Sequence, residues 1–173
     1  MASPVTLYGE QEIQARIEEL AAEIARSLPE DFLILGLLKG SFVFIADLAR
    51  ALYRHGRRPE IEFIRLSSYG LEKTSAGDVH LLGDCPTDLS GRNILLMDDI
   101  ADTGRSLAYA RAMLEQRDVE KLWTCVLLDK PSRREVEIAT DFVGFTVDDV
   151  FVVGYGIDDA EKYRHLPYIG AVG

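Results

Sequence analysis

The stretch Asn93-Ile94-Leu95-Leu96-Met97-Asp98-Asp99-Ile100-Ala101-Asp102-Thr103-Gly104-Arg105-Ser106 decides how this chain is read. Asn93 to Met97 is an apolar run with the length of a strand buried on both faces. Three carboxylates, two hydroxyls and a glycine follow at its end, and a helix is predicted from about Gly104 to Gln116. Backbone N–H groups of a tight turn entering a helix attract an anion, and Thr103 and Ser106 add hydroxyl donors, so the turn reads as a phosphate cradle. Carboxylates beside a phosphate repel it unless they face another part of the ligand. Adjacent Asp98 and Asp99 suit sugar hydroxyls or a hard cation, and a phosphorylated sugar with magnesium meets both demands. The plainer account makes Asp102 and Thr103 a helix cap and leaves Asp98 and Asp99 solvated. Three carboxylates at one buried strand end weigh against it, because ligands of open α/β sheets gather there.

The same alternation extends to either side. Ile13, Ile17, Leu20, Ala21, Ile24 and Leu28 recur at helical spacing over residues 9–28, and Pro29 stops that helix. Phe32 to Leu38 is a buried-strand run, Gly40 and Ser41 turn the chain, and Phe42 to His55 is a second amphipathic helix ending at Gly56. Glu60 to Leu66 is predicted as a strand, Ser67 to Gly77 as a polar, mobile loop, and Val79 to Leu82 as a short returning strand. Lys121 to Leu128 is the next buried strand, with shorter ones at Phe142 to Phe145 and Val150 to Val153. Strands alternating with helices argue for one α/β domain over residues 1–173, built on an open and mainly parallel sheet.

Composition bounds the partners. With 47% hydrophobic and 28% charged residues the chain matches an ordinary globular protein rather than a disordered or membrane one. Nineteen basic against twenty-nine acidic residues leave a net charge of -10, which opposes loose attachment to nucleic acid or to an anionic membrane. An anionic ligand must therefore be held locally. Cys85 and Cys125 lie far apart with no CxxC or His-rich neighbourhood, so neither a disulfide framework nor a zinc site is expected. A basic leader followed by an apolar run is not seen, and a cytoplasmic location is the expectation.

Asp98 to Ser106 resembles the phosphoribosyl-pyrophosphate signature of the type I phosphoribosyltransferases, specifically the hypoxanthine-guanine family, and the resemblance covers nearly the whole chain. Leu38-Lys39-Gly40 is similar to that family's pyrophosphate loop, Ser68-Tyr69 to its lid, and Lys130, Phe151 to Tyr155, Asp158 and Arg164 to its base and pyrophosphate region. Two positions depart from the pattern. Asp98 stands where Glu is common and Arg105 where Lys is common, with charge kept in both.

The resemblance implies transfer of a phosphoribosyl group to a 6-oxopurine with magnesium as cofactor, on a sheet carrying a small C-terminal hood, in a homodimer or homotetramer. It implies ribose and phosphate contacts from Asp98, Asp99, Asp102, Thr103, Gly104, Arg105 and Ser106, with Asp102 as general base near the purine N7. Lys39, Gly40 and Arg164 would hold pyrophosphate, and the Leu38-Lys39 peptide bond would be cis. Lys130, Phe151, Val152 and Asp158 would meet the base, Ser68 and Tyr69 would belong to the lid, and Asp98, Asp99 and Asp158 would coordinate magnesium. A regulatory RNA-binding protein on the same fold is the rival class, opposed by the net charge. A phosphoribosyltransferase favouring xanthine or another oxopurine is the rival within the class.

Overall fold

Along β2 (Leu33–Leu38), Leu33, Leu35 and Leu37 enter one core and Ile34 another. β5 (Asn93–Ala101) repeats the pattern, with Ile94 and Leu96 on one side and Leu95 and Met97 on the other. Successive strand side chains face opposite ways, so an unbroken apolar run requires a core on each face of the sheet. α3 (Arg105–Glu115) closes the first core through Leu107, Ala110 and Leu114. α1 (Glu10–Ser27) and α2 (Phe42–Arg54) close the second.

The structure, a computed structural model, describes residues 3–69, 78–86 and 88–173. With β3 (Glu60–Tyr69), β4 (Asp78–Leu82), β6 (Lys121–Asp129) and β7 (Phe142–Thr146), the main sheet has the order β4-β3-β2-β5-β6-β7. Its pairings are parallel except β3 with β4. A smaller antiparallel sheet joins β1 (Val5–Tyr8), β9 (Ile169–Val172) and β8 (Phe151–Val153) in the order β1-β9-β8. The predicted C-terminal hood is thus built partly from the N-terminal strand. Among the described residues no helix is long and apolar enough to cross a membrane.

Local chemistry explains the helix ends. α1 carries Glu10 and Glu12 in its first turn and Arg26 in its last, each sign facing the favourable end of the helix dipole. α2 ends in a Schellman motif: Gly56, at φ 75°, donates to the Tyr53 carbonyl at 3.0 Å, and Arg57 donates to that of Leu52 at 2.9 Å.

Two predicted boundaries are corrected. β5 does not stop at Met97 but runs through Asp98 and Asp99 to Ala101, because β6 continues to pair with it from Asp98 opposite Val126 to Ala101 opposite Asp129. β3 likewise continues through Ser67, Ser68 and Tyr69, where the sequence predicts a loop; there its backbone pairs with β4. A ladder partner satisfies backbone groups whatever the side chains, so polar residues do not end a strand. The rest of the expected loop, residues 70–77, lies outside the described residues.

β2 and β5 part at Gly36 and Met97, their last paired residues. From β2 the chain continues to α2 in one core, and from β5 to α3 in the other. Such a reversal at the carboxyl ends of adjacent parallel strands is where open α/β sheets form a crevice.

Candidate active site

A cleft of about 320 Å³ opens at this reversal. The end of β2 contributes Leu37, Leu38, Lys39 and Gly40; the end of β5 contributes Asp98, Asp99, Ile100 and Ala101. Asp102, Thr103, Gly104 and Ser106 form the turn below, and Asp158 and Arg164 face it from the C-terminal segment. Residues separated by up to 127 positions in sequence, Leu37 and Arg164, thus share one space.

The Leu38-Lys39 peptide bond is cis. Ser41, fully buried, donates through Oγ to the Leu37 carbonyl and ties the turn to the strand. Phe42 N–H donates to the Lys39 carbonyl at 3.2 Å as α2 begins. Gly156, at φ 94°, packs its backbone on this loop so closely that a β-carbon there would lie 2.6 Å from the Gly40 carbonyl oxygen.

Asp98 and Asp99 form a tightly coupled acidic pair. Asp98 Oδ1 accepts from the Asp99 N–H at 2.8 Å, and Asp99 Oδ1 accepts from the Ile100 N–H at 2.7 Å. Burial pushes the Asp98 carboxyl well above the ordinary carboxylate range, and the charge of Asp99 pushes it further. Burial also raises Asp99, while its hydrogen bonds and the Arg164 guanidinium oppose the shift. Like charges desolvated together favour keeping a proton between them, or recruiting a cation.

The turn is fastened from behind. Gly104 adopts φ 89°, and a β-carbon there would lie 2.6 Å from the Val136 carbonyl oxygen. Thr103 accepts through its carbonyl from Glu135 N–H at 2.9 Å and Val136 N–H at 3.1 Å. Arg134 donates at 3.0 Å to the Asp102 carbonyl and pairs with Asp129, while Arg133 Nε lies 3.0 Å from Asp102 Oδ1. These two arginines escaped the sequence reading; their signal was their place just after β6, beyond Lys130. Arg105 begins α3 but turns its side chain to Glu135, with Nε 2.7 Å from Oε2, and does not line the cleft.

Lys130, Phe151 and Val152 also stand outside the cleft wall. They form a neighbouring corner: Lys130 is buried, and its Nζ donates to the Val150 carbonyl at 2.7 Å, directly before exposed Phe151 and buried Val152. The Lys130 N–H donates to the Ala101 carbonyl at 2.9 Å, joining this corner to the end of β5. Ser68 and Tyr69 follow Leu66, a cleft residue, along β3.

At the cleft's other side Arg164 lies 3.1 Å from Asp158 Oδ1 and donates to the Gly156 carbonyl at 2.8 Å. Glu161, another residue the sequence reading passed over, lies 2.9 Å from Lys39 Nζ and 3.3 Å from Arg164 Nη2. Nothing in its acidic surroundings marked it.

The family model described as the phosphoribosyl transferase domain matches residues 6–160. The chain is similar to the hypoxanthine phosphoribosyltransferase of Escherichia coli K12, with 46% identity over 94% of this chain and 92% of the relative. It is 43% identical to the hypoxanthine-guanine phosphoribosyltransferase of Bacillus subtilis, over 96% of this chain and 91% of that one. A crystal structure of a Bacillus anthracis hypoxanthine-guanine phosphoribosyltransferase superposes with a TM-score of 0.90 at 41% identity, covering 97% of this chain and 98% of that chain.

Proposed function

The chain belongs to the phosphoribosyl transferase family, and from that premise we propose how its cleft works. It is a purine-salvage enzyme that transfers the 5-phosphoribosyl group from phosphoribosyl pyrophosphate to hypoxanthine or guanine, yielding the nucleoside monophosphate and pyrophosphate. The observation that carries the reading is the convergence of the phosphate turn, the acidic pair and Lys39 with Arg164 in one cleft.

In the proposed mechanism the turn from Asp102 to Ser106 binds the 5′-phosphate through backbone N–H groups and hydroxyls, and Asp98 and Asp99 face the ribose. The bond from ribose C1′ to pyrophosphate breaks with its electron pair leaving on the pyrophosphate oxygen. Lys39, the Gly40 backbone and Arg164 stabilise the charge gathering there. The N9 lone pair of the base closes on C1′, and Asp102 accepts the proton that the purine ring sheds at N7. Lys130 donates to the 6-oxo oxygen, Phe151 stacks on the ring, and the Val152 backbone meets the base edge. Ser68 and Tyr69 belong to the segment that shields the sugar cation from water.

A magnesium ion suits the donor set. The paired carboxylates Asp98 and Asp99 are held above their ordinary protonation range by burial, a penalty that a hard divalent cation would relieve. Among the described residues no three acidic, His or Cys groups converge into a cage of their own. Magnesium keeps waters and substrate phosphates in its shell, so Asp98 and Asp99 would hold it from the end of β5 and Asp158 would contribute from the facing wall of the cleft. Held by these residues, magnesium would supply positive charge against the departing pyrophosphate.

Turnover with phosphoribosyl pyrophosphate, magnesium and each purine base in turn tests the reading. Release of pyrophosphate with hypoxanthine or guanine is expected; no release with either overturns it.

A further inference from the structure

The two cations assigned to pyrophosphate already share one carboxylate oxygen. Glu161 Oε1 lies 2.9 Å from Lys39 Nζ and 3.3 Å from Arg164 Nη2. The turn that delivers it is unusual, for Ala160, Glu161 and Tyr163 have φ of 49°, 66° and 74°. The Glu161 N–H is pinned to Asp158 Oδ2 at 2.8 Å. Hydrogen bonds from Lys39 and then Arg164 hold the Glu161 carboxyl below its ordinary range, so it is an anion at neutral pH.

The partners differ in freedom. The Arg164 side chain is 19% exposed, while that of Glu161 is 63% exposed. Arg164 is also fastened to the Gly156 carbonyl and to Asp158. Glu161 can therefore swing into water while Arg164 stays in place. Two anions seeking the same guanidinium and ammonium compete, and the one held through an exposed side chain yields at small cost.

We propose that Glu161 is a displaceable counter-anion of the pyrophosphate site: it gives way when pyrophosphate binds Lys39 and Arg164, and it reclaims both cations as pyrophosphate departs. This rests on the assignment of those two residues to pyrophosphate. Without Glu161, Lys39 would stand uncompensated and Arg164 would keep only Asp158, so the cleft would hold its product more tightly, and product release limits turnover in many enzymes. Glu161 moderates that affinity without touching the reacting atoms.

The test is calorimetric titration of inorganic pyrophosphate with magnesium into the full chain and its variants. Glu161→Gln keeps the shape and removes the charge, so Kd is expected to fall about 3- to 10-fold, the size of one or two exposed ion pairs. In a Lys39→Met background the same change should have a clearly smaller effect, because one of the shared cations is gone. Equal or weaker binding by Glu161→Gln, when Lys39→Met and Arg164→Met themselves weaken binding, overturns the counter-anion role alone. An undiminished gain in the Lys39→Met background overturns the shared-cation account. Pyrophosphate binding indifferent to both cation substitutions overturns the underlying assignment instead.

Discussion

Gly40 is held so close to Asp99 that a β-carbon on it would lie 1.8 Å from the Asp99 Oδ2. The end of β2 and the end of β5 therefore meet at a carboxylate and a bare backbone. The contact joins the two sides of the crevice: Gly40 belongs to the loop assigned to pyrophosphate, and Asp99 to the pair assigned to ribose and magnesium. Only glycine leaves room for both, so the spacing between the two strand ends is set by one absent methyl group.

Gly40→Ala should displace either the loop or the carboxylate by about 1 Å, and misplacement of that size costs on the order of 10²-fold in rate. Steady-state kinetics should show kcat/KM for phosphoribosyl pyrophosphate falling by roughly that factor. Kinetics matching the wild type would mean that the contact does not govern alignment.

Asp102→Asn should lower kcat by about 10²–10⁴, the usual contribution of a placed acid-base group. The fold should survive, because the Asn side chain still offers Oδ1 to Arg133 and the Asp102 carbonyl that accepts from Arg134 is backbone. Circular dichroism alongside the kinetics separates lost chemistry from unfolding. Wild-type turnover in the folded variant removes Asp102 from the proton transfer.

Lys130 should make the enzyme reject adenine, since an ammonium facing the 6-position meets an acceptor in hypoxanthine and a donor in adenine. Its Nζ is oriented by the Val150 carbonyl at 2.7 Å, next to the backbone assigned to the base edge. Sites built around a particular hydrogen bond discriminate by about 10⁴–10⁵, so adenine turnover should be nearly undetectable. Lys130→Ala should raise KM for hypoxanthine more than it weakens binding of phosphoribosyl pyrophosphate. Efficient use of adenine by the wild type, or a loss confined to the sugar phosphate, contradicts the assignment.

Asp98 should make stability fall with rising pH. Its folded-state carboxyl is raised by burial, so the folded chain keeps a proton that the unfolded chain releases above about pH 4. That contribution is fully present below the unfolded value and is lost as pH climbs toward the folded one. Asp98→Asn removes the titration, so the melting temperature of the variant minus that of the wild type should grow from pH 4 to pH 7. Each 1 kcal/mol relieved corresponds to about 2–4 °C in a chain of this size. Binding of phosphoribosyl pyrophosphate should weaken in the same variant. A difference that shrinks over this range would mean that Asp98 is not strained by its burial.

Much of the scaffold was legible because burial on two faces leaves a one-dimensional trace. The apolar runs of β2, β5 and β6, and the helical spacing of α1 and α2, announced themselves to within a few residues. β1 and β9 did not. Val5 and Leu7 are exposed, and β9 is only Ile169-Gly170-Ala171-Val172, so neither carries a clear period; they are strands because they pair with each other, Val5 opposite Ala171. Ser67 to Tyr69 were misplaced for a related reason, since pairing with β4 substitutes for burial.

The sequence by itself determined that carboxylates and hydroxyls crowd the end of β5, and the proposed chemistry is built on that cluster because such a group after an apolar strand has few uses. Its local order also determined the alternation of strand and helix that yields an open α/β sheet. Only the tertiary structure decided how these groups face one another. It extended β5 through the acidic pair, turned Arg105 away to Glu135, set Arg133 on Asp102, and brought Glu161 to Lys39 across 122 positions of chain. The physical reason is that periodicity records burial, a property of each residue in its own element, whereas an ion pair or a close backbone approach depends on where separate elements end. Glu161 in an acidic stretch looks solvated until the fold places two cations beside it.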